Sequence, residues 1–303
     1  MQLPKINKQY LLKSRPKGVP CREDYEFNEA VIAPLEEGDI LMKNDFISLD
    51  PAIRGWMSES EESYMPPIEL GQPIRSSTLS TVIASKNKDY DVGDIVLGLN
   101  AWEEYTCLNT LRHIHSFASK MPKDLGVPKE WLISVLGATG MTAYFGLLDL
   151  GQPKSGDTLV ISSAAGAVGS IVGQIGKIKG CKVIGIAGSD EKCNVLTDEY
   201  GFDEAINYKT FSDRESLSNR LNELCPNGID IYFENVGGYI LESVLDNIAE
   251  KSRIIICGMI AQYNTSKELP GPSNLWQLLV KSATMKGFLI RDYLDQMDSA
   301  AID

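Results

Sequence analysis

Beyond Pro128 the chain alternates short runs rich in Val and Ile with stretches whose apolar residues recur every three or four positions. Runs at 158–161, 182–187, 229–233 and 253–257 have strand length, and 205–206 and 284–290 are weaker strand signals. The intervening segments 168–179 and 190–200 carry helical spacing. Such strand–helix alternation predicts a parallel sheet with helices on both faces. Ahead of it, Ala138, Met141, Ala143, Tyr144, Phe145, Leu147 and Leu148 suit helices within 131–150, and Gly151 stops them. The chain up to about residue 125 reads differently. Turn signals at Gly38-Asp39 and at Asp91-Val92-Gly93-Asp94 feed the short apolar runs 40–43 and 95–98, and 81–84 is a further strand signal. Short strands at this spacing predict a β-rich module, such as a small barrel. The proline- and acid-containing stretch 57–76 reads as a surface loop. The expected fold class is α/β, a doubly wound parallel sheet preceded by a β-rich N-terminal domain.

Composition narrows the function. A length of 303 residues suits about two domains, and 43% hydrophobic with 23% charged residues is ordinary globular composition. The net charge of −12 argues against a nucleic-acid partner, because phosphate neutralisation needs a basic surface. One local cationic pocket for a phosphorylated ligand remains compatible with it. Two histidines leave little room for histidine-rich metal chemistry or a histidine triad. The six cysteines, at 21, 107, 181, 193, 225 and 257, are scattered, with no CxxC pair. They read as buried thiols in a reducing cytosol rather than a disulfide framework or zinc ribbon. No run approaches the roughly 20 apolar residues of a membrane span, and 1–15 lacks the apolar core of a signal peptide. A cytoplasmic, soluble protein is expected.

The sharpest motif is Leu159-Val160-Ile161-Ser162-Ser163-Ala164-Ala165-Gly166-Ala167-Val168-Gly169. Its strand, small-residue turn and helix start match the dinucleotide pattern GxGxxG, with Ala164 in the first glycine position. Small residues let the backbone approach a pyrophosphate, and the helix N-terminus offers unpaired N–H donors and partial positive charge. The bland alternative is a tight turn packed for its own sake. At the end of the second strand an NAD site usually places an acid on the ribose 2′-hydroxyl. Here Gly185-Ile186-Ala187-Gly188-Ser189-Asp190-Glu191-Lys192 puts small residues, then Ser189 and Lys192, in that region. That arrangement suits a 2′-phosphate and favours NADP. A solvated helix-start lysine would also explain Lys192.

Several further motifs run in order along the chain. They are Leu49-Asp50-Pro51-Ala52-Ile53-Arg54-Gly55, Thr142-Ala143-Tyr144-Phe145-Gly146-Leu147, Ile206-Asn207-Tyr208, Glu234-Asn235-Val236-Gly237-Gly238, and Cys257-Gly258 through Gln262-Tyr263-Asn264. Together with the glycine turn, the sequence resembles the zinc-independent medium-chain dehydrogenase/reductases, in the prostaglandin reductase and alkenal double-bond reductase group. The resemblance implies a GroES-like N-terminal catalytic domain over 1–127 and a Rossmann NADP-binding domain over 128–290. It further implies that 291–303 starts a return to the catalytic domain and that the chain is truncated there. It places Gly166, Ala167, Val168 and Gly169 on the pyrophosphate, with Lys192 and Tyr208 at the 2′-phosphate. Asn235, Cys257 and Gly258 would line the nicotinamide side, Tyr263 would sit by the nicotinamide ribose, and Phe288 and Ile290 would complete the cleft. Thr142 is a weaker carry-over towards the nicotinamide.

The activity so implied is NADPH-dependent reduction of 2-alkenals or enones, with hydride added to the β-carbon. Tyr263 would donate to the developing enolate oxygen, and a homodimer is implied. No metal is expected. The stretches where zinc-dependent relatives carry ligands read Ser48-Leu49-Asp50-Pro51 and Leu70-Gly71-Gln72-Pro73, and neither His113 nor His115 lies in metal spacing with a cysteine. Ala52 replaces an aromatic hydroxyl found in many double-bond reductases, which points to a larger or differently polarised pocket; Trp56 and Tyr64 could line it or serve as core and surface aromatics. A quinone reductase of the same superfamily, or an NADP-binding protein without turnover, are the competing readings.

Overall fold

The computed structural model describes residues 3–59, 63–109, 118–122, 126–265 and 271–302. The chain divides into two compact units, Met1–Ile133 and Ser134–Asp303.

In the first unit, strands β1 (Ile6–Leu12) and β2 (Tyr25–Val31) form an antiparallel pair. β3 (Asp39–Ile47) leads to the single turn α1 (Ile53–Trp56), and then to β4 (Arg75–Ser85), β5 (Ile95–Ala101), β6 (Tyr105–Asn109) and β7 (Ala118–Met121). These last five strands form one antiparallel sheet in the order β6-β3-β4-β5-β7. One apolar cluster gathers Leu12, Ile53, Trp56, Met57, Ile68 and Ile74. Three of these come from 57–76, so that stretch is only partly the surface loop its composition predicts. Ile68 N–H donates to the Trp56 carbonyl (2.7 Å), which folds the segment back over α1 and buries its few apolar side chains. Trp56 is a core residue, and Tyr64 sits edge-on to it on the exposed side.

The second unit opens with α2 (Ala138–Phe145), which widens into a π-helical turn over Gly146–Gly151. Then come β8 (Thr158–Ser162), α3 (Ala167–Ile178), β9 (Lys182–Ala187), α4 (Asp190–Asp198), β10 (Glu204–Asn207), α5 (Arg214–Leu224), β11 (Ile229–Glu234), α6 (Gly238–Leu245) and β12 (Ile248–Ile256). Short helices α7 (Ile260–Tyr263) and α8 (Trp276–Val280) precede β13 (Thr284–Gly287), and α9 (Met297–Ala300) follows. The six strands are all parallel, in the order β10-β9-β8-β11-β12-β13. β13 stops at Gly287, short of residue 290, because its partner β12 ends opposite at Ile256.

Successive strand residues face opposite ways, and helices cover both faces. Val160, Ile184, Tyr232 and Ile254 pack with Leu217, Leu221 and Val244 of α5 and α6. Leu159, Ile161, Val183, Phe233 and Ile255 pack with Ala143, Leu147 and Val172 on the other face. From β8 the chain builds outward through β9 and β10, then returns to place β11 on the other side of β8. That reversal opens a crevice beyond the carboxyl ends of β8 and β11, where ligands of open α/β sheets bind.

Candidate cofactor-binding site

β8 enters the crevice through Ser163, held at φ 50°, and reaches Gly166, the N-cap of α3. The first-turn N–H groups of Ala167, Val168 and Gly169 have no acceptor within the helix and face the turn. A Cβ on Gly169 would stand 2.5 Å from the Ser163 carbonyl oxygen and 2.8 Å from Ala164 Cα. Only glycine permits that approach of helix to turn. A backbone cradle of small residues at a positive helix end is what a pyrophosphate requires, so these residues fit a dinucleotide.

The opposite wall is the end of β11. Asn235 Nδ2 donates to the Ser162 carbonyl (2.7 Å), and its backbone N–H donates to Ser162 Oγ (2.8 Å). Cys257 and Gly258 N–H both donate to the Glu234 carbonyl, at 2.9 and 3.1 Å, which sets the end of β12 beside Asn235. Tyr263 closes α7 with its hydroxyl accepting the Met259 N–H (3.3 Å), and that oxygen would lie 3.2 Å from a Cβ on Gly258. Asn235, Cys257, Gly258 and Tyr263 therefore meet in one place. Burial, reinforced by the Glu234 carboxylate, pushes the Cys257 thiol up to about 12.

At the ends of β9 and β10, Ser189 caps α4 by accepting the Lys192 N–H (3.3 Å), and the Lys192 side chain is exposed. Asp190 is engaged by Asn207 Nδ2 (2.8 Å). A Cβ on Gly188 would lie 3.3 Å from the Tyr208 ring and 3.6 Å from Lys209 Cε. Lys209 is thus a second cation at this strand end that sequence reasoning missed; its adjacency to Tyr208 was the available signal. Phe288 follows the Ile256–Gly287 pairing and so comes alongside Cys257, but its ring packs over Gly146 and edge-on to Tyr293. Tyr293 stacks on Phe145 (4.4 Å) and donates to Asp149 (2.6 Å). Ile290 begins a 3-10 turn and is half-buried. The Thr142 hydroxyl bonds back to the Ala138 carbonyl (2.7 Å) of its own helix.

Among the described residues no group of three His, Cys, Asp or Glu side chains could hold a metal, and no helix is long and apolar enough to cross a membrane. His113 and His115 lie outside the described residues. Cys181 and Cys225 are buried as the composition predicts, whereas Cys21 and Cys107 are exposed; Cys107 sits on an edge strand of the first unit.

Residues 8–115 match the family described as the N-terminal domain of oxidoreductase, and 167–302 match the zinc-binding dehydrogenase family. The NADPH-dependent curcumin reductase of Escherichia coli is 40% identical over 95% of this chain and 81% of its own length. The 2-alkenal reductase (NADP(+)-dependent) of Nicotiana tabacum is 41% identical over 95% of this chain and 82% of its own. The crystal structure of CurA in complex with NADPH from Vibrio vulnificus superposes with a TM-score of 0.89 at 40% identity, covering 98% of this chain and 86% of that one. The chain belongs to the zinc-independent medium-chain dehydrogenase/reductases. Its glycine cradle and parallel sheet are the Rossmann half of that family, and its first unit is the β-rich half.

Proposed function

We propose that this chain is an NADPH-dependent reductase of α,β-unsaturated carbonyl compounds, acting on 2-alkenals or enones. NADP is the cofactor, held by Gly166, Ala167, Val168 and Gly169 at the pyrophosphate and by Lys192, Tyr208 and Lys209 at the 2′-phosphate. Asn235, Cys257 and Gly258 line the nicotinamide side, with Phe288 and Ile290 beyond them. Bound NADPH supplies the hydride. As the β-carbon gains hydride, the C=C electron pair moves to make an enolate, and a donor aimed at its oxygen lowers the barrier. Tyr263 meets that need. Its oxygen already accepts the Met259 N–H, so its own hydrogen points elsewhere and is available to the enolate. A phenol donates without bringing a charge, and water then delivers the proton to the α-carbon.

Cys257 serves the same chemistry passively. Alkenals and enones alkylate thiolates, and a thiol pushed up to about 12 stays protonated beside such an electrophile.

The observation that carries the reading is the Tyr263 hydroxyl, held over Gly258 at the carboxyl end of the sheet. NADPH consumption with a panel of alkenals, cyclic enones and quinones tests it. Alkenals or enones are expected to turn over, and Tyr263→Phe is expected to lower kcat roughly a hundredfold with little change in NADPH affinity. Quinone turnover alone would favour a quinone reductase, and tight NADPH binding without turnover would end the enzyme reading.

A further inference from the structure

The floor of the crevice holds a carboxylate that hydride transfer does not use. Glu234 is 0% exposed, at the end of a strand otherwise rich in Ile, Tyr and Phe. Each of its side-chain contacts is with a donor. Oε1 accepts from Ser162 Oγ (2.8 Å), from Val236 N–H and from Gly237 N–H (2.9 Å), and Oε2 accepts from the Tyr232 hydroxyl (2.7 Å). Burying a carboxylate is costly unless donors surround it, and here four do. Ser162 passes the constraint on, because the same Oγ accepts the Asn235 N–H. One side chain therefore ties the ends of β8 and β11 to the turn entering α6. Gly237 and Gly238 stand there at φ 80° and 60°, a backbone that glycine adopts without steric cost and that the Glu234 contacts fix in one geometry.

We propose that Glu234 is a positioning residue: acting through Ser162, it holds Asn235 and the 235–238 turn in the geometry that receives the cofactor. The turn needs an acceptor at Oε1 rather than a charge, and a glutamine carbonyl supplies one in the same place. The proposal rests on NADP occupying the crevice and is independent of the substrate.

NADPH affinity by cofactor fluorescence, the melting temperature of the cofactor-free protein and steady-state kinetics together test it. Ser162→Ala is expected to raise the NADPH Kd about tenfold, the effect of losing the one buried hydrogen bond it takes from the turn, and Glu234→Met, which removes the acceptor of both Val236 and Gly237, by at least as much. Ser162→Ala should raise KM for NADPH while kcat at saturating NADPH stays near wild type. Glu234→Gln is expected to lower the melting temperature, since Tyr232 loses its carboxylate, yet to keep the Kd within about threefold of wild type. That separation of stability from binding is what a merely structural residue would not give. A wild-type Kd in Ser162→Ala, or a loss in Glu234→Gln as large as in Ser162→Ala, overturns the proposal; these two variants decide it even if Glu234→Met fails to fold. A wild type that binds NADPH but reduces no enone overturns the proposed function and leaves this Kd comparison standing.

Discussion

At the scale of single residues, cofactor preference and thiol reactivity make the sharpest predictions. Lys192 and Lys209 flank the end of β9, with Tyr208 and Lys209 both close to Gly188. Lys192→Ala and Lys209→Ala should each weaken NADPH while sparing NADH, measured as separate Kd values; equal losses for both cofactors would remove the residue from the 2′-phosphate assignment. Burial pushes the Cys181 and Cys225 thiols up to about 11 and Cys257 up to about 12. Raised values mean less thiolate at any pH below them, so the reactive fraction grows only as pH climbs towards those values. Iodoacetamide at mildly alkaline pH should therefore modify exposed Cys21 and Cys107 first, and mass spectrometry finding early label on half-buried Cys257 would contradict its raised thiol. The glycine turn at Gly166 and Gly169 was legible in the sequence because a strand–turn–helix pattern fixes residue type at a set local spacing, whereas Asn235 and Tyr263 entered only through the family resemblance. Lys209 and Ser162 were legible in neither way, because what distinguishes them is a neighbour distant in sequence.

Elements were legible where local pattern and tertiary environment agree. β8, β9 and the 231–233 and 254–255 portions of β11 and β12 are buried, so they read as apolar runs, whereas Glu250-Lys251-Ser252-Arg253 hid the first half of β12. The β1–β2 hairpin was not foreseen. Its pattern is inverted, with Asn7 buried against Glu103 and the Tyr105 carbonyl while Tyr10 and Phe27 face outward. α5 is mostly polar and shows the core only Leu217, Leu221 and Leu224, a thin stripe in the sequence. α3 was plain, and its glycines do more than loosen a helix. Gly173 carries no side chain because a Cβ there would run into the buried Phe202 ring, so the helix lies directly on β8 and β9. Gly173→Leu should cost about 1–3 kcal/mol or more by overpacking. Gln174→Leu, one residue along on the exposed face, should be near neutral, and chemical denaturation of the two variants makes the comparison.

For the whole molecule, the alternation of strands and helices along the sequence already separates a doubly wound sheet from a β-rich unit. The order of the strands, and hence the place where the crevice opens, became visible only with the pairing of β8 and β11. Every group assigned to the cofactor hangs from the carboxyl edge of that six-stranded sheet. The amino edge carries none of those groups. Its turn at Pro226 and Asn227, exposed just before β11, lies a full strand away from the Glu234 end. A short epitope tag spliced between those two residues should leave NADPH affinity unchanged, whereas the same insert between Val236 and Gly237 should abolish it. The fold thus offers a built-in attachment point for immobilising the enzyme on a surface with its cofactor mouth turned to the solution.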